Sequence, residues 1–202
     1  MIDTDSIYVT MSTIAVVSDE PPSQVSLSDK ELESILKRPF TIGQSPAGTV
    51  VSSQRDQIEI IAGGNKLNVR DLSGDVEFSE SKIPTILDFF IKKIEFQISS
   101  YGINFIITVP CAEPGQWIRD NILAPNISEK ISKTVLRGAA VLNIASGDKT
   151  WNIKLDPGES NKINVDFNAS ETTEQIPDQD RFREELQEQF DGLRQFLSDL
   201  GL

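Results

Sequence analysis

Large apolar side chains recur at helical spacing near the C-terminus: Phe182, Leu186, Phe190, Leu193, Leu197 and Leu200. Steps of four and three place them on one stripe of an α-helix expected over about 178–200. Such a stripe is stable in water only when an apolar surface covers it, because most helical stability in proteins comes from packing. The cover has to come from the rest of the chain or from a partner. Upstream, the sequence offers mainly short strand-like segments. That combination sets the fold class as α+β, a largely antiparallel sheet or sheets covered by helices.

Residues 7–17 alternate apolar and polar positions through Ile7, Val9 and Met11 and close on Ile14-Ala15-Val16-Val17, a strand pattern. A loop around Pro21-Pro22 follows. Ser28-Asp29-Lys30-Glu31 then has the form of a capping box, and the helix it opens carries Leu32, Ile35 and Leu36 before Pro39. Strands are expected at 48–53, 57–62 and 66–71, joined by turns at Gln54-Arg55-Asp56 and Gly63-Gly64-Asn65. A helix over 81–99 shows Ile83, Ile86, Leu87, Phe90, Ile91 and Ile94, with Pro84 in its first turn and Gly102 as its cap. The second half continues with a strand at 103–109, a helix near 114–124 and a polar connection at 126–133. Strands at 135–145, 149–155 and 161–168 and a polar linker at 169–177 lead to the long helix.

Two similar β-α-β-β-β-α halves result, residues 1–102 and 103–202, and an internal duplication is expected. Ile14-Ala15-Val16-Val17 aligns with Ile106-Ile107-Thr108-Val109, and Leu67-Asn68-Val69 with Ile163-Asn164-Val165. Ser99-Ser100-Tyr101-Gly102 aligns with Ser198-Asp199-Leu200-Gly201.

The chemistry is defined mostly by what is missing. The 202 residues contain no histidine, which removes Ser-His relays, Cys-His pairs and imidazole metal ligands. The single cysteine, Cys111, excludes an intrachain disulfide and a cysteine-clustered metal site. It has no histidine to hold a thiolate, so it reads as structural. Gly63-Gly64-Asn65-Lys66 lies between strands and therefore reads as a hairpin turn, not a phosphate loop. Asp178 and Asp180 sit where a helix N-terminus favours acids. Asp3 and Asp5 form a similar isolated pair. Trp117 and Trp151 suit core packing as well as they suit a ligand platform. The triplets Asn126-Ile127-Ser128 and Asn168-Ala169-Ser170 lack a preceding secretory signal and read as chance matches. No cofactor, metal site or catalytic residue is expected.

The net charge of −12 argues against a nucleic-acid surface, which needs cations to neutralise phosphates. No apolar run approaches the length of a membrane span, so the chain reads as cytoplasmic. Residues 171–202 hold nine acids against three arginines, half of the net charge. The expected function is a non-catalytic, acidic, protein-binding or regulatory module that works through shape and negative potential. Its partner is another protein or a second copy in a homodimer. Phe182, Leu186, Phe190, Leu193, Phe196 and Leu197 are the candidate partner-binding residues. A module for small apolar ligands and a carboxylate-dependent hydrolase are the alternatives.

Overall fold

The computed structural model describes residues 6–21, 28–123, 138–159 and 161–202. In chain order the described elements are β1 (Tyr8–Ser18), α1 (Asp29–Leu32), β2 (Phe40–Ser45), β3 (Gly48–Ser53), β4 (Ile58–Gly63) and β5 (Lys66–Asp71). Then come α2 (Ile83–Ile94), β6 (Ile98–Pro110), α3 (Pro114–Asn121), β7 (Ala140–Ser146), β8 (Lys149–Pro157), β9 (Lys162–Thr172) and α4 (Gln179–Asp199). The polar connection expected at 126–133, the 126–128 triplet, Pro22, Asp3 and Asp5 lie outside the described residues.

All nine strands form one sheet in the order β2-β3-β4-β5-β1-β6-β9-β8-β7, and every neighbouring pair is antiparallel. The fold is thus mixed α+β, one antiparallel sheet with four helices among the described residues. β1 and β6 pair at its centre, Ile14 opposite Ile103 and Ala15 opposite Gly102. From β1 the chain crosses to the far edge, enters β2 and returns by tight turns to β5, beside β1. From β6 it reaches the other edge and returns from β7 to β9, beside β6.

Period-two alternation decides which face each residue takes. Ile14, Val16, Leu67, Val69, Ile103, Phe105, Ile107, Val165 and Phe167 point to the helix side and are buried. α2 brings Ile86, Leu87 and Phe90 into this layer, and α4 brings Phe182, Leu186, Phe190, Leu193 and Leu197. An aromatic group ties the layers together. The Phe105 ring lies 5.4 Å from Phe190, 5.5 Å from Phe78 and 5.8 Å from Phe167, centroid to centroid. Trp151 packs edge-on to Phe167 at 5.2 Å and donates from Nε1 to Gln189 Oε1 of α4 at 2.9 Å. Gly192 makes that approach possible, since a β-carbon there would lie 3.0 Å from the indole.

The capping box forms as expected: Ser28 N–H donates to Glu31, whose own N–H donates to the Ser28 hydroxyl. Lys93 of α2 also donates to Glu31 and, with the Ser28 bonds, holds its carboxyl down at about 2.

Three expectations are corrected. Residues 40–45 form β2, an additional strand, so the first meander has four strands where three are expected. Its residues are exposed or half-buried, so no alternating apolar signal marks it. The helix expected over 81–99 ends at Ile94, where Glu95 turns left-handed at φ 49°. β6 begins at Ile98, so Gly102 is a strand residue and caps no helix. A β-carbon on Gly102 would come within 2.9 Å of Asn168 Nδ2, so the missing side chain serves close cross-strand approach. The alignment of Ser99–Gly102 with Ser198–Gly201 therefore pairs a strand with a helix end, and a division after Gly102 falls inside β6.

Phe105→Ala is expected to lower unfolding free energy by about 3–5 kcal/mol, because the cavity lies among rings that cannot collapse into it. Urea denaturation measures the loss.

Candidate functional site

The described helices lie on one face of the sheet, and a continuous polar row crosses the opposite face. Following the register from edge to edge, Asn143, Asn152, Asn168, Asn104, Thr13, Arg70, Glu59, Ser52 and Thr41 stand directly opposite one another, one from each strand. Neighbours in the row bond. Asn152 Nδ2 donates to Asn143 Oδ1 at 2.7 Å and Asn168 Nδ2 to Asn104 Oδ1 at 2.5 Å. Arg70 Nη1 donates to Glu59 Oε2 at 2.8 Å. The Thr13 hydroxyl and Arg70 Nε have no hydrogen-bond partner among the described residues, although both atoms are buried.

The next row at the centre is small: Asn68, Ala15, Gly102 and Ser170. Small residues beside long ones leave an open depression of about 440 Å³ over β5, β1, β6 and β9. Its walls carry Met11 and Ile106, the amides of Asn68, Asn104 and Asn168, and the charges of Lys66, Arg70 and Asp166. This surface offers donors, acceptors and a little apolar floor, which suits binding more than bond-making.

A second cluster lies under α4. The Tyr101 hydroxyl of β6 is 2.8 Å from Glu185 Oε2 and 2.9 Å from Glu171 Oε2, and it accepts from Lys149 Nζ at 2.6 Å. Lys149 also reaches Glu171 at 2.6 Å and Glu185 at 3.2 Å, and its ammonium sits 4.6 Å from the Tyr101 ring centre. Burial, followed by the hydrogen bond and charge of Glu185 and then those of Glu171, pushes the Tyr101 phenol up. The Lys149 hydrogen bond holds the Glu171 carboxyl below its usual range. Every polar group here is satisfied by another, so the cluster clamps α4 to β6, β8 and β9.

The residues marked from sequence take structural places. Phe182, Leu186, Phe190, Leu193 and Leu197 are at most 2% exposed, turned onto the chain's own sheet, while Phe196 is half-buried beside them. A partner meets that stripe only by lifting α4. Asp178 caps α4 by accepting from Arg181 N–H at 2.9 Å. Cys111 is buried, and burial pushes its thiol up, away from the thiolate. Trp117 and Trp151 are half-buried against the core. Among the described residues no group of three or more Cys, Asp and Glu side chains is placed to hold a metal ion. Likewise, no helix among them is long and apolar enough to cross a membrane.

The open-face row was not singled out from sequence. Its signal is the recurrence of asparagine inside apolar strands, at Asn104, Asn143, Asn152 and Asn168, where that residue is normally depleted. The chain matches no protein-family model and no curated protein sequence.

Lys149→Met removes the nearer of the two cations at buried Glu185 and leaves Arg181 at 3.5 Å, so a loss of about 3 kcal/mol, the low end for a broken buried pair, is expected in chemical unfolding. The pH dependence has a definite sign. A depressed folded-state value gives Glu171 a stabilising contribution that is present above its ordinary value of 4.5 and is lost as pH falls through the folded value. Glu171→Gln should therefore flatten the acid limb of a stability–pH curve and leave its neutral slope unchanged.

Proposed function

We propose that this chain is a non-catalytic protein-binding or regulatory module whose recognition surface is the sheet face opposite the described helices. The observation that carries the reading is the depression over Thr13, Ala15 and Gly102, with an unpartnered buried hydroxyl at its centre. An antiparallel sheet can leave one face to solvent, and such a face is then polar. A buried hydroxyl without a partner goes further, because leaving it so costs about 1–3 kcal/mol that a bound donor or acceptor would recover.

Charge supports a partner with basic residues. Asp180, Glu184, Glu188, Asp191 and Asp199 are exposed on the outer side of α4. The nearby cations are engaged, Arg181 with Glu184 and Glu188, and Arg183 with Asp180. The net charge of −12 favours the approach of a cationic partner by long-range attraction, and the sheet face provides the fit. We further read the two arms of the sheet as copies of one strand–helix–meander–helix unit. The strand order runs outward alike from β1 and from β6, with β2 as the addition on one arm.

Affinity capture from native extract at low and high salt, using wild type and Ala15→Arg, tests the reading. Wild type is expected to retrieve one partner at low salt with recovery falling at high salt, and Ala15→Arg to retrieve none. Undiminished capture by Ala15→Arg contradicts it.

A further inference from the structure

The β2 edge of the sheet carries two features that the open face does not use. Natural proteins blunt edge strands with charges, prolines or bulges. Residues 40–45 have neither charge nor proline and pair with β3 without a register shift. Ile42 is 50% exposed, yet it stands opposite Val51 of the core, on the helix side of the sheet. Ser45 and Gly48 flank a two-residue turn and so form a hydrogen-bonded pair. Alternation along an antiparallel ladder then gives the inward bonds to Thr41, Gly43 and Ser45. The main-chain groups of Phe40, Ile42 and Gln44 point away from the sheet.

The second feature adjoins the Phe40 end of this strand. An open pocket of about 490 Å³ is lined by Lys37, Arg38, Arg55 and Lys82, with Glu33 as its acidic member. Arg38 pairs with Glu33, and Lys82 is held at 2.5 Å by Asp56. Lys37 and Arg55 are exposed and have no ion pair among the described residues. In a chain of net charge −12, cations outnumber acids around this pocket.

We propose that β2 is the docking strand for an extended, acidic peptide of a partner protein. The peptide adds as an antiparallel outer strand, its main chain bonded to Phe40, Ile42 and Gln44. An apolar side chain rests beside Ile42, and acids at the peptide's C-terminal end reach Lys37 and Arg55. A second copy of this chain fits the edge poorly. Two-fold antiparallel pairing of β2 with itself would set each basic pocket against the uncharged Pro46-Ala47 turn and leave Lys37 and Arg55 without a counter-charge. This site is separate from the open face, so either can fail without the other.

The probe is a fluorescein-labelled hexapeptide of alternating threonine and valine ending in two glutamates, titrated with the full chain and followed by anisotropy. Saturable binding is expected, and the same peptide ending in two lysines should bind about tenfold or more weaker. Ile42→Pro removes an outward N–H and leaves the inward ladder intact; it should weaken binding by about tenfold or more, with circular dichroism confirming the fold. Arg55→Glu, in an exposed turn, should weaken binding without any demand on folding. Ala15→Arg should leave it unchanged. Absence of binding, equal affinity for the lysine-ended peptide, or full affinity in Arg55→Glu overturns the proposal. So does a wild-type dimer that Ile42→Pro converts to monomer, which would give β2 to self-association.

Discussion

The pairing of β1 with β6 is the interaction on which the rest depends. It joins two meanders into one antiparallel sheet, and the register that sets Ile14 opposite Ile103 sends both apolar sets to the same side. A slip of one residue would turn Ile14, Val16, Ile103 and Phe105 to the solvent face. With the register fixed, α2 and α4 have a continuous apolar floor on one side. The opposite side is left to Thr13, Ala15, Gly102 and Asn104. The core and the candidate recognition surface are two consequences of the same alternation.

The helical layer is held by two kinds of contact that act at different places. Under the middle of α4, Phe190 meets Phe105 and Phe78, where burial of ring surface dominates. Nearer its start, Glu185 and Arg181 join the network around Tyr101 and Lys149, where charges are compensated in a small space. The apolar contacts supply most of the attraction. The ionic group adds direction, because its partners on β6, β8 and β9 accept one placement of the helix. Stable anchoring of α4 leaves its outer acids exposed as a fixed field.

What the sequence made legible was local. The capping box at Ser28, the turn at Gly63-Gly64-Asn65 and the stripe from Phe182 to Leu200 all follow from neighbouring residues, and all are present. What it hid was set at a distance. Residues 98–102 look like the tail of a helix until Val16 and Val17 are known to lie opposite Tyr101 and Ser100. β2 carries no periodic signal because neither of its faces is covered. The row from Asn143 to Thr41 is a property of register across nine strands. Single asparagines hinted at it without revealing that they align.

The proposed function requires that one sheet face be free in the isolated chain while the other is sealed. Methyl NMR with a soluble paramagnetic agent reads both faces in a single sample. The methyl signals of Met11, Ala15 and Ile106 should broaden strongly, while those of Ile14, Ile103 and Val165 should hardly change. Protection of Ala15 and Ile106 equal to that of Ile103 would show the face already covered, and would contradict a surface kept open for a partner.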